Sequence, residues 1–282
     1  MAVDSLNVRL LPLRRFEGVD SNQILEQLHI RQGQYGIRQL WDNSLKIPPK
    51  HMEYLFAACR DLSACVRQET VLLLKRYIWE LSKGKKKGRQ RYSLQVVILT
   101  CANLAAKYWN GAIGEQQLHR LSSNAFTRKD FIEAEVEVLS VLHCDVHWDG
   151  VLLIEWVSCC LFLCQELLAK PSDLDIIMDI ATQLMDALFF QDHLMSQYLP
   201  SQLAAAIVHA AVQLCTKSFQ EYKFCLRVNH LCRVADGDVS SLSERLLQGI
   251  VGQQCADLVF EGAQSDDFAG PMALTDADRD EL

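Results

Sequence analysis

The stretch LTCANLAAKYWNG, residues 99–111, decides the reading of this chain. Its apolar positions belong to a longer series, Leu94, Val97, Ile98, Cys101, Leu104, Ala105 and Tyr108, that follows the i, i+3, i+4, i+7 spacing of one helix face. Lys107 interrupts the apolar run just before two aromatics and a glycine. A lysine there either lays its stem along apolar surface with its ammonium in water or presents a fixed charge to a partner.

Helical periodicity continues on both sides. Phe131, Ala134, Val138 and Leu142 repeat it, VLLLKRYIWEL (71–81) is a further helix, and LAAAIVHAAVQLC (203–215) is apolar nearly all round, as a helix buried on every side must be. Strand alternation bounded by hairpin turns does not occur, so the expected class is all-α. Prolines punctuate the chain at IPPK (47–50), KPSDLD (170–175) and YLPSQ (198–202). The last two open helices, where a missing N–H costs little. SNQILEQLHIRQ forms an amphipathic N-terminal stretch with Ser21 as a candidate cap. From Glu261 the periodicity stops, and a tail with seven acidic residues and one arginine reads as a mobile, solvated end.

Composition narrows the function classes. The chain has 282 residues, half of them apolar and 22% charged, which is globular and long enough for two cores. A net charge of −7 argues against nucleic acid as the main partner. GVLLIEWVSCCLFLC (150–164) is too short to span a bilayer and carries Glu155, so it reads as a buried helix and no membrane partner is expected. Eleven cysteines without C-x-x-C spacing or a secretory leader fit buried thiols in the cytosol or nucleus. Cys225, His230 and Cys232 are too irregular for a zinc site. No phosphate-binding, zinc-protease, nucleophile-elbow or dinucleotide motif is present, and His209 on its apolar helix reads as a core histidine. No cofactor, no metal and no enzyme activity are expected.

An internal echo organises the chain. NLAAKY (103–108) and HAAVQL (209–214) each place an Ala-Ala pair in a mostly apolar central helix, where small side chains let neighbours approach closely. Two five-helix bundles in tandem fit this pattern. The expected division is an N-terminal segment 1–48 with one helix, a first bundle 49–147, a second bundle 148–260 and an acidic tail 261–282.

LQVVILTCANLAAKYWNG resembles the central helix of a cyclin box, with its L-Q start and its A-x-K-y ending. LLKRYI (73–78) is similar to the D-R-F-L signature of the preceding helix, with Lys75 in place of the Asp and Tyr77 in place of the Phe. KDFIEAEVEVLSVLHCDV (129–146) resembles the fifth helix, and LMSQYLPSQLAAAIVHAAVQL the opening of a second box. By this resemblance the chain is a divergent, tandem cyclin-box protein, a regulatory subunit whose partner is a cyclin-dependent kinase. The cyclin Lys and fifth-helix Glu correspond to Lys107 and Glu135, which in the family grip the kinase C-helix so that a kinase Glu pairs with the ATP-positioning Lys.

HMEYLFAACRDL (51–62) lacks the family's M-R-x-x-L-x-x-W pattern, so docking of R-x-L substrates is not implied. Among subfamilies the likeness is to the cyclin N-terminal-domain-containing proteins of meiotic crossover formation. That likeness implies meiotic recombination proteins as further partners. SKGKKKGRQR (82–91) carries Lys83, Lys85, Lys86, Lys87, Arg89 and Arg91, a run that reads as a nuclear-import or nucleic-acid patch or as a plain solvated loop. The alternatives to kinase binding are a kinase-independent scaffold for recombination or chromosome proteins and a nucleic-acid-binding cyclin-fold transcription factor.

Overall fold

The computed structural model describes residues 20–34, 47–83, 92–109, 111–146, 151–168, 171–215 and 220–261; every regular element among them is helical. They divide into two compact units, one lying within 42–148 and the other combining residues of 1–41 with those of 149–263.

The first unit holds five helices. These are α2 (Pro49–Ala58), α3 (Ala64–Lys83), α4 (Leu94–Trp109), α5 (Glu115–Leu121) and α6 (Arg128–Val141), while α1 (Ser21–Gln34) belongs to the other unit. Helix α4 is the hub, packed against α2, α3 and α6 and buried from Leu94 through Ala106. Ala105 and Ala106 are almost wholly enclosed. Such close packing fixes geometry, and each buried Leu, Ile or Val stabilises the bundle by about 1.5–3 kcal/mol. Helix α3 starts seven residues earlier than apolar periodicity places it, because Arg67, Gln68, Glu69 and Thr70 are polar in sequence yet buried. Arg67 donates to the Leu62 carbonyl at 2.6 Å and Thr70 to the Val66 carbonyl at 2.6 Å, which satisfies those groups inside the core. The Tyr54 hydroxyl donates to the Leu121 carbonyl at 3.2 Å and ties α2 to the end of α5.

The second unit is also a bundle, formed by α7 (Leu153–Cys164), α8 (Pro171–Leu188), the short α9 (Asp192–Gln197), α10 (Pro200–Cys215), α11 (Gln220–Cys232) and α12 (Asp236–Glu261). Setting aside the six-residue α9, these are again five helices, one of them a hub. The hub is α10, packed against α7, α8, α11 and α12, with Ala205, Ala206, Ala210 and Ala211 fully enclosed. Pro171 and Pro200 open α8 and α10, in keeping with the expected use of proline in a first turn.

Helix α1 belongs to this second unit. Ile24 and Leu28 are buried, and the His29 ring meets Trp156 edge-on at 4.7 Å. His29 Nε2 bonds the Leu231 carbonyl at 3.1 Å, and Arg233 bridges to Glu26 at 3.0 Å. Polar residues of α1 also serve two helix starts. Gln32 donates to Ser201 Oγ at 3.1 Å and accepts the Ser201 N–H at 2.8 Å, capping an otherwise orphan donor of α10. Arg31 reaches both oxygens of Glu155 at 3.3 and 3.4 Å. Glu155 is fully buried and also accepts the Leu152 N–H at 2.7 Å, closing the first turn of α7. The lone acid in the apolar stretch 150–164 is thus a neutralised cap. The acidic tail expected at 261–282 lies outside the described residues beyond Glu261, as does the Ser21 side chain.

Among the described residues no helix is long and apolar enough to cross a membrane.

Candidate functional site

The end of α4 is held firmly. Gly111 adopts φ +102°, a conformation that favours glycine, and its N–H donates back to the Ala106 carbonyl at 2.7 Å. The buried Asn103 Oδ1 accepts the Ile113 N–H at 3.0 Å and pins the outgoing chain. Lys107 therefore leaves a rigid last turn, with its side chain 42% exposed.

Glu135 is placed by α6. That helix begins with a reciprocal cap: Thr127 Oγ1 accepts the Asp130 N–H, and Asp130 accepts the Thr127 N–H at 2.7 Å. Donation to its carboxylate by the Thr127 hydroxyl, at 2.7 Å, and by the Thr127 N–H holds Asp130 below its ordinary pKa. Phe131, Ala134, Val138 and Leu142 then turn inward, as the periodicity requires. The three glutamates that follow are separated by their partners. Glu137 accepts from the Tyr77 hydroxyl at 2.6 Å, and Glu133 accepts from the Tyr92 hydroxyl at 2.7 Å. Burial, reinforced by the Glu137 bond, raises the Tyr77 phenol far above its usual range and keeps it a donor. Glu135 alone of the three faces Lys107, and their charged atoms lie 2.5 Å apart.

Exposed apolar side chains share the two helices with this pair. Ile132 and Val136, one turn apart and flanking Glu135 in sequence, are 54% and 62% exposed, and Tyr108 beside Lys107 is 45% exposed. The inward position that periodicity assigns to Tyr108 is therefore corrected: α4 outruns the core at its last turn, so the ring faces solvent. Ile132 and Val136 are the functional candidates that the sequence reading missed. Their signal was two β-branched residues at i, i+4 off the core face of α6.

Residues 29–147 match the family model described as Cyclin, N-terminal domain. This segment is cyclin-like. No curated protein matches the chain.

The cyclin-like features can be placed one by one. Arg76, in the D-R-F position, bridges to Asp145 beyond α6 at 2.7 Å. Lys75, which replaces the Asp, is buried. In the 51–62 stretch His51, Met52, Leu55 and Cys59 are buried, so α2 turns these side chains to the core. Lys83 closes α3, paired with Glu80 at 2.9 Å and lying over the Trp79 ring at 3.1 Å. Lys85, Lys86, Lys87, Arg89 and Arg91 fall outside the described residues.

Elsewhere, His209 Nε2 bonds the Cys225 carbonyl at 3.3 Å, and burial lowers its pKa, a setting that keeps the ring neutral. Cys232 turns into the core against Cys160, whereas His230 on the same helix is exposed. Among the described residues no three His, Cys, Asp or Glu side chains gather as a metal would require.

Proposed function

We propose that the chain is a non-enzymatic regulatory subunit that docks a cyclin-dependent kinase through the Lys107–Glu135 pair and the apolar residues around it. One observation carries the reading. Two opposite charges on a rigid helix rim meet each other amid Tyr108, Ile132 and Val136, three large side chains left to solvent. An exposed ion pair contributes under about 1 kcal/mol to folding, and three exposed apolar side chains contribute little. The arrangement does little for the bundle itself. It suits a partner helix, whose apolar face covers the three residues while its backbone takes charge-assisted bonds from Lys107 and Glu135. Enclosing the pair in such an interface removes water and strengthens those bonds.

A tandem-box organisation, a nuclear site of action and a part in meiotic crossover formation belong to the same proposal. The parallel hubs α4 and α10 support the first. The basic run 82–91 and the subfamily resemblance support the other two.

The test exploits the pairing. Exchanging the charges, Lys107→Glu with Glu135→Lys, preserves the internal pair and inverts what the partner meets. Capture of purified cyclin-dependent kinases is expected to weaken at least roughly thirtyfold, equivalent to about 2 kcal/mol, with the melting curve unchanged. Val136→Lys should weaken capture independently. Undiminished capture by both variants, or no capture by the wild-type chain, refutes the proposal.

A further inference from the structure

The interface between α7 and α11 is rich in sulfur. Helix α7 contributes Cys160 and Cys164, both buried, and α11 contributes the buried Cys232 and the half-buried Cys225. Two of these sulfurs touch: Cys160 Sγ and Cys232 Sγ lie 3.4 Å apart, joined by a thiol hydrogen bond. A disulfide needs about 2.05 Å, so oxidation has to bring the two sulfurs about 1.4 Å closer.

We propose that Cys160 and Cys232 form a dithiol switch, oxidised to a disulfide by a hydroperoxide. One sulfur, as thiolate, attacks a peroxide oxygen; the O–O bond breaks, and a sulfenic acid and one water form. The second thiolate then attacks the sulfenic sulfur, the S–S bond forms, and hydroxide leaves to take a proton as a second water. Two thiols and one hydrogen peroxide give one disulfide and two waters, the two sulfurs each supplying one electron.

Burial sets how the switch responds. The mutual hydrogen bond and the apolar surroundings keep Cys160 protonated, well above the usual thiol pKa, and a protonated, enclosed sulfur reacts slowly. Oxidation therefore proceeds through openings of α11 away from α7, so the pair reports oxidant and local loosening together. Its position gives it leverage. Cys160 lies one turn after Trp156, and Cys232 follows Leu231; both of those residues hold His29 of α1. A cross-link here fastens the two elements on which α1 rests, and it spans 72 residues of sequence.

The test uses the full chain with the exposed Cys144 changed to Ser, reduced and then treated with hydrogen peroxide under native conditions. Non-reducing peptide mapping is expected to show Cys160 joined to Cys232, two hydrogens lighter than the separate peptides. The melting temperature should rise on oxidation and return with dithiothreitol, and Cys232→Ala should abolish both the cross-link and the rise. The mapping stands without the alanine variant, should that variant fail to fold. Peroxide consumed at Cys225 with Cys160 and Cys232 still thiols, or a cross-link formed only in urea, overturns the proposal.

Discussion

Helix α4 buries Ala105 and Ala106 and then offers Lys107 and Tyr108 to solvent, while α10 buries Ala210 and Ala211 and then offers Gln213 and Leu214. The two hubs share a packing rule: small residues at the centre let the surrounding helices close in. Their polar investments differ. In the first unit Lys107 and Glu135 pair on an exposed rim at the end of the hub, although Arg67, Glu69 and Lys75 of α3 are buried. In the second, charge and amide groups point inward, where Arg31, Glu155 and Gln32 secure helix starts against α1. One unit leaves an ion pair at its surface, and the other uses the equivalent chemistry to hold its own chain.

The largest expected effect comes from attacking the inward charges. Arg31→Met leaves the fully buried Glu155 without its cation, and breaking a buried pair costs about 3–5 kcal/mol. Amide hydrogen exchange should accelerate across α7 and α10 and stay unchanged in α4; equal acceleration in both units would erase the distinction drawn here. Next come the hubs themselves. Ala210→Leu should destabilise the second unit by about 1–3 kcal/mol, and Ala105→Leu the first by a similar amount. A well-tolerated leucine at either site, seen in urea melts followed by exchange, would mean that the hubs are not packed alike. Smaller still, Thr127→Ala should cost about 1 kcal/mol, felt in the first turn of α6 alone.

The mildest test is acid. Burial holds His29 and His209 neutral, with pKa values below the ordinary value of about 6.5. As pH falls below about 6.5 the unfolded chain takes up protons at these sites and the folded chain does not. Stability of the second unit therefore declines from that point and levels off below the folded values. In the first unit, Asp130 has a lowered pKa, so its contribution persists until pH falls through the ordinary carboxylate range. Between about pH 6.5 and 4.5 exchange should quicken in α1 and α10 before α6. The reverse order would contradict the placement of these groups.

Local periodicity was enough for the inward face of α6, because Phe131, Ala134, Val138 and Leu142 share one stripe whatever surrounds them. The Thr127–Asp130 cap is equally local, a T-x-x-D pattern before an apolar run. Resemblance singled out Lys107 and Glu135, but their meeting was not legible, since no spacing rule crosses the turns between residues 28 apart on two helices. Arg31 was invisible as the partner of Glu155. A pair separated by 124 residues leaves no trace in either neighbourhood, and an acid in an apolar helix reads only as an anomaly. The buried start of α3 was hidden for the opposite reason: its polar side chains find partners within the fold.

The attachment of α1 has a consequence for how the chain is made. His29 meets Leu231 across 202 residues, so the helix emerges from the ribosome long before its binding surface exists. At about 5–20 residues per second that wait is on the order of 10–40 s. During it, Ile24 and Leu28 have no core to enter, while every helix of the first unit is already available to fold. The second unit is then finished by a segment made 202 residues before the surface it binds.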